Sequence, residues 1–113
     1  MRRGEIWTFA GGAAYHGKPR PAVIVQDDVF DQTASVTVCG FTSDPTDAPL
    51  LRIRVDPSPT NGLSDTSRLM IDKISTVPRD RAGYRIGVLD GVDMVRLERA
   101  LLVFLGMAGT PAE

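Results

Sequence analysis

Six short runs of strand-type residues, each cut off by a cluster of glycine, proline or asparagine, precede a single change to helical period near residue 90. Many short strands followed by one terminal helix suggest a small, partly open barrel. Ile6 to Phe9 is β-branched and aromatic, and Ala22 to Val25 is an unbroken apolar run after Pro21, the pattern of a strand buried on both faces. Ser35 to Phe41 is a third strand and Leu50 to Val55 a fourth. In the fourth, Leu51, Ile53 and Val55 alternate with Arg52, Arg54 and Asp56, which turns two arginines outward. Arg68 to Ile74 reads as a fifth strand, with Leu69 and Ile71 opposite Met70 and Asp72, and Tyr84, Ile86 and Val88 alternate in a sixth. The segments 10–21, 43–49 and 56–62 hold the glycines, prolines and Asn61-Gly62 that mark loops by backbone preference.

Helical spacing of Met94, Leu97, Leu101 and Leu105 follows Asp90, a suitable N-cap with Asp93 in the first turn, and Gly106 is a natural stop. Leu101 to Leu105 is apolar all round, so this helix end needs cover on two sides, from the barrel or from a second subunit. The expectation is one domain over residues 1–113, mainly β with a C-terminal α-helix, folded as a small, partly open barrel and dimeric.

Charge and rare residues narrow the chemistry. Thirteen Lys+Arg oppose fourteen Asp+Glu, a net charge of -1, so bulk charge cannot bind nucleic acid, whereas a local basic groove can. One cysteine, Cys39, and one histidine, His16, exclude an intramolecular disulfide and two-histidine metal motifs. Asp27, Asp28 and Asp31 lack the glycine and glutamate of a calcium loop and are expected to cap a turn. No metal and no cofactor is expected. The longest apolar run, Ala100 to Leu105, falls far short of the ~20 residues of a membrane span. No signal-peptide run follows Met1, so a cytoplasmic protein with a reduced thiol is expected.

Phosphate-binding glycine loops, the GxSxG elbow and HExxH are all missing. Cys39 and His16 offer the elements of a nucleophile pair, but a cysteine in an apolar strand is a small core residue. Polar residues gather instead at strand ends. The loop Tyr15-His16-Gly17-Lys18-Pro19-Arg20-Pro21 carries three potentially cationic side chains and an aromatic ring, and Thr42-Ser43 follows the third strand. Arginine clamps phosphate bidentately, a threonine hydroxyl donates to a phosphoryl oxygen, and an aromatic ring stacks on an unpaired base.

These residues resemble the MazF/PemK family of toxin ribonucleases. Arg3-Gly4-Glu5-Ile6-Trp7 and Arg20-Pro21-Ala22-Val23-Ile24-Val25-Gln26-Asp27-Asp28 are similar to its opening, and Thr37 to Ser43 to its third strand with a Thr-Ser exit. Asn61-Gly62-Leu63, Ser67 to Ile74 and the terminal helix follow in the expected order, covering nearly all of residues 3–106. The resemblance implies a homodimeric SH3-like barrel of the MazF/CcdB type that cleaves single-stranded RNA without a metal and is neutralised by a cognate antitoxin. The 2′-hydroxyl would attack the adjacent phosphate, leaving a 2′,3′-cyclic phosphate and a 5′-hydroxyl. By position, Arg20 and Thr42 are the catalytic pair, and His16, Lys18, Asp27, Ser43, Asp72 and Lys73 lie near the RNA.

A guanidinium stays protonated, so Arg20 suits charge stabilisation or proton donation better than a general base. His16, with an ordinary pKa near ~6.5, either shuttles a proton or only touches RNA. Three departures from the family pattern concern base reading: no carboxylate between Ala13 and Arg20, Lys73 beside Asp72, and Cys39-Gly40-Phe41 before the Thr-Ser exit. Phosphate contacts are sequence-blind, so the cleavage sequence is affected more than the reaction. The rival is a non-catalytic barrel toxin that binds DNA gyrase or another partner; the Trp-Gly-Ile ending of the CcdB type is absent here. Arg52 and Arg54 are candidates for docking the antitoxin.

Overall fold

The computed structural model describes residues 1–11 and 18–109. Seven strands and one helix follow in order: β1 (Glu5–Phe9), β2 (Arg20–Ile24), β3 (Ser35–Thr42), β4 (Arg52–Val55), β5 (Ser67–Met70), β6 (Ser75–Pro78), β7 (Ala82–Val88) and α1 (Gly91–Phe104). All pairings are antiparallel, in the spatial order β4-β5-β3-β2-β1-β7, with β6 also on β3. Among the described residues β4 and β7 are not paired with each other, so the barrel is open there.

β2 and β3 have apolar side chains on both faces because each face meets its own core. Val23, Cys39 and Phe41 join Leu69, Ile71 and Leu97 in the larger cluster, while Ala22, Ile24, Val36 and Val38 pack with Phe9 in a smaller one. The unbroken run from Ala22 is the consequence, since alternation disappears when neither face is wet. The Arg-Gly-Glu-Ile opening is tied down by backbone bonds: Gly4, at φ 88, donates to the Ile24 carbonyl at 2.8 Å and accepts from Leu89 N at 2.8 Å. Only glycine takes that φ without strain.

The segment expected as one strand from Arg68 to Ile74 is two strands with a 3-10 turn, Ile71–Lys73, between them. Phe41 faces Leu69 and Val38 faces Ser75, so Cys39 and Gly40 of β3 stand against the whole stretch from Met70 to Ile74. The surplus residues bulge out as the turn. Period two hid this, because Leu69 and Ile71 are both fully buried, as continuous alternation would require. β4 also starts two residues later than expected. The Leu51 and Arg52 amides both bond the Ala48 carbonyl, at 2.8 and 2.7 Å, which makes Leu50-Leu51 a turn.

Loop 56–66 packs onto β7. Asn61 is buried, its Oδ1 accepting from Ser58 N at 2.9 Å and Leu63 N at 3.0 Å while Nδ2 donates to the Asp56 carbonyl at 2.9 Å. Contact is so close that a Cβ on Gly87 would lie 2.4 Å from the Asn61 carbonyl carbon and oxygen. Asp90 caps α1 through Asp93 N at 2.8 Å, as expected, and Leu97 is fully buried with Met94 and Leu101 beside it. Leu105, expected on that inner stripe, is 51% exposed, together with Leu102, Val103 and Phe104, because the barrel ends before the last helical turn.

Two substitutions probe this packing. Gly87→Ala forces two backbones apart and should cost about 2 kcal/mol or more. Leu97→Ala opens a cavity worth about 2–5 kcal/mol. Urea unfolding measures both; a wild-type midpoint for either contradicts the packing described.

Candidate nucleic-acid interface

β2 begins with Arg20 and β3 ends with Thr42. Their register pairs Ala22 with Gly40, Val23 with Cys39 and Ile24 with Val38. Continued by two residues, the same ladder sets Arg20 opposite Thr42. Both line one groove of about 430 Å³, together with Ser43, Ser64, Tyr84 and Thr8. Arg20 also walls a neighbouring hollow of about 190 Å³ with Phe9, Lys73 and Arg81, and Thr42 walls a third of about 180 Å³ with Arg52 and Lys73. Arg20, Thr42 and Lys73 are thus each shared between two neighbouring hollows.

Local bonds orient these groups. The Thr42 Oγ1 accepts from Asp44 N at 3.1 Å, which leaves its O–H to donate into the groove. Asp44 in turn accepts from Thr46 N at 2.9 Å and Thr46 Oγ1 at 2.6 Å. Those bonds, the hydroxyl's first, hold the Asp44 carboxyl below its ordinary range. Asp72, lifted out of the sheet by the 3-10 turn, is hydrogen-bonded by Arg52, and that bond keeps its carboxyl ionised to lower pH than usual. Arg52, expected outward, is therefore largely engaged along the sheet, whereas Arg54 is exposed and meets Asp56 at 3.0 Å.

Of the expected site residues, Arg20, Thr42 and Ser43 share the main groove and Lys73 the adjoining hollows. Lys18 is exposed two residues before β2, and Asp72 sits beside Lys73. Asp27 stands apart: it lines none of these hollows, and its Oδ1 accepts from Val29 N at 2.9 Å, capping the turn Asp28–Phe30. Asp28 and Asp31, the remainder of that acidic group, face Arg2. His16 and Tyr15 lie outside the described residues. Two residues were not singled out from sequence, one lining the groove and one beside Thr42 in the sheet. Tyr84 presents a ring 66% exposed to the groove instead of to a core. Arg68 is the register partner of Thr42, and its outward position was legible from the alternation with Leu69.

Cys39 is fully buried and donates its thiol to the Met70 carbonyl at 3.4 Å. Burial pushes that thiol up to about 12, so it is a core residue and not half of a nucleophile pair. Among the described residues no three metal-ligating side chains gather, and no helix is long and apolar enough to cross a membrane.

An arginine and a threonine stand at facing strand ends of a small open β-barrel, over a groove with an exposed ring. The chain belongs to the family described as PemK-like, MazF-like toxin of type II toxin–antitoxin system, which matches residues 2–105. A "Probable endoribonuclease MazF" of Mycolicibacterium smegmatis is 63% identical over 109 residues, 96% of this chain and 100% of the relative. The fold is also that of an endoribonuclease in complex with its cognate antitoxin from a mycobacterial species, at TM-score 0.79 and 24% identity over 98% of this chain and 99% of the other. It matches too the MazE-MazF crystal structure (Form-II) from Deinococcus radiodurans, at TM-score 0.76 and 18% identity over 96% and 97% of the two chains.

Because the Cys39 thiolate is scarce at neutral pH, iodoacetamide at pH 8 should leave the folded protein unmodified and alkylate it only in denaturant. Rapid labelling of the folded protein by mass spectrometry would show that β3 opens.

Proposed function

We propose that this chain is a sequence-specific, metal-independent endoribonuclease toxin that cleaves single-stranded RNA and is neutralised by a cognate antitoxin. The observation that carries this reading is the opposition of Arg20 and Thr42 at adjacent strand ends inside one groove. A phosphodiester seated there has its non-bridging oxygens met by the Arg20 guanidinium and the Thr42 hydroxyl. The ribose 2′-oxygen attacks phosphorus and the P–O5′ bond breaks, giving a 2′,3′-cyclic phosphate and a 5′-hydroxyl. The charge that builds on the phosphoryl oxygens is what the fixed guanidinium stabilises. The leaving oxygen takes up a proton, which Arg20 or water supplies, and the 2′-hydroxyl proton passes to a base, for which His16 is the side chain with a suitable ordinary pKa. Ser43, Lys18, Asp72 and Lys73 are then placed along the flanking nucleotides, and Asp27 reads RNA only if the strand extends beyond the hollows described.

Partners follow from the surface. The exposed apolar end of α1, from Leu102 to Leu105, is read as the face that a second copy covers. The mycobacterial and Deinococcus structures are complexes with an antitoxin, and an antitoxin of this chain would compete with RNA for the basic groove, with Arg52 and Arg54 at its rim.

A long, weakly structured RNA incubated with the protein in excess EDTA should give discrete cuts with 5′-hydroxyl ends. Arg20→Ala should lower the rate by about 10²–10³-fold, the usual loss for one transition-state donor. Uncut RNA with folded protein would leave a non-catalytic toxin as the reading. For the dimer, sedimentation equilibrium should give twice the 12.2 kDa chain mass, and Phe104→Ser should shift the mass toward the monomer.

A further inference from the structure

The site continues across the sheet beyond Thr42. Arg68 of β5 faces Thr42 on one side and Arg54 of β4 on the other. With Arg20 at the β2 end, the transverse row reads Arg20, Thr42, Arg68, Arg54 across four adjacent strands. Directly opposed residues of an antiparallel pair project to the same face. Here that face is opposite the buried Phe41, Leu69 and Ile53. Like charges directly opposite one another destabilise a sheet. Arg54 has its charge answered by Asp56 at 3.0 Å. Arg68 is half-buried, yet among the described residues its guanidinium makes no hydrogen bond or ion pair. Asp44 feels it only through space, as a lesser contribution to its lowered pKa. Across the neighbouring strands Arg68 faces a hydroxyl and another arginine, with no carboxylate directly opposite.

We infer that Arg68 is a second phosphate-binding residue, and that the RNA strand crosses the sheet at right angles to its strands along the row Arg20, Thr42, Arg68, Arg54. Strand spacing of about 4.8 Å puts Arg68 within reach of a phosphate on Thr42, and Arg54 one strand further on. A ribose–phosphate chain carries one charge per residue, and the row offers it three guanidiniums and a hydroxyl on one face. The row also starts at the pair assigned to the scissile phosphate. An acidic peptide is the competing occupant, and the test separates the two. This inference rests on the nuclease reading only for the location of the scissile phosphate.

The test uses a 2′-O-methyl oligoribonucleotide, which lacks the nucleophile and cannot be cut, with affinity read by fluorescence anisotropy over a series of KCl concentrations. Arg68→Gln should weaken binding about tenfold and lower the steepness of log K against log salt by about 0.7, the loss of one phosphate contact on a single strand. Arg68→Lys should restore the steepness. Arg99→Gln, a charge-matched change on the exposed surface of α1, should not alter it. An Arg68→Gln salt dependence equal to that of Arg99→Gln overturns the inference. So does a variant that loses affinity for a polyglutamate peptide but keeps the wild-type RNA steepness. Cleavage of the unmodified RNA by the wild-type chain tests the nuclease reading separately, so failure of either is recognised on its own.

Discussion

The pairing of β2 with β3 is the contact on which the remainder of this molecule depends. Three residue pairs, from Ala22–Gly40 to Ile24–Val38, hold it in one register. A slip of one residue would turn every side chain of β2 to the wrong face. Val23 would leave one core, Ala22 and Ile24 the other, and Arg20 would no longer stand beside Thr42. Because both faces of these strands are buried, two separate hydrophobic clusters oppose any slip. The opposition of Arg20 and Thr42 is therefore maintained by apolar packing several residues away from them.

The second determinant is an irregularity. β3 offers one edge to both β5 and β6, and the 3-10 turn between them takes up the surplus length. That bulge brings Lys73 to the hollows around Arg20 and Thr42 and Asp72 to Arg52. Bulges commonly re-aim side chains next to functional sites, and this one does so without disturbing Ile71, which stays fully buried. A Cβ on Gly40 would lie 3.1 Å from the end of the Met70 side chain, which occupies the space above this glycine.

Charge is distributed to the same end. The chain is net -1, yet the face carrying Arg20, Thr42, Arg68 and Arg54 is basic. Acidic residues nearby are committed elsewhere: Asp72 to Arg52, Asp56 to Arg54 and Thr66, Asp44 to Thr46. The positive field is thus local to this face and not a property of the chain as a whole.

Local signals in the sequence determined the strand-rich class, the Asp90 cap, the Asn61-Gly62 turn and the residue types Arg20 and Thr42 with their family resemblance. Each depends on residues a few positions apart, where backbone preference and side-chain period act. Tertiary structure alone decided that the stretch from Arg68 to Ile74 breaks, that Tyr84 faces a groove, that Leu105 is exposed, and that Arg68 and Arg54 fall in line with Thr42. The partner of Thr42 is Arg68, and the partner of Arg68 is Arg54. Such neighbours are set by the register between distant segments, which no local period encodes, because it follows from how two buried faces fill together.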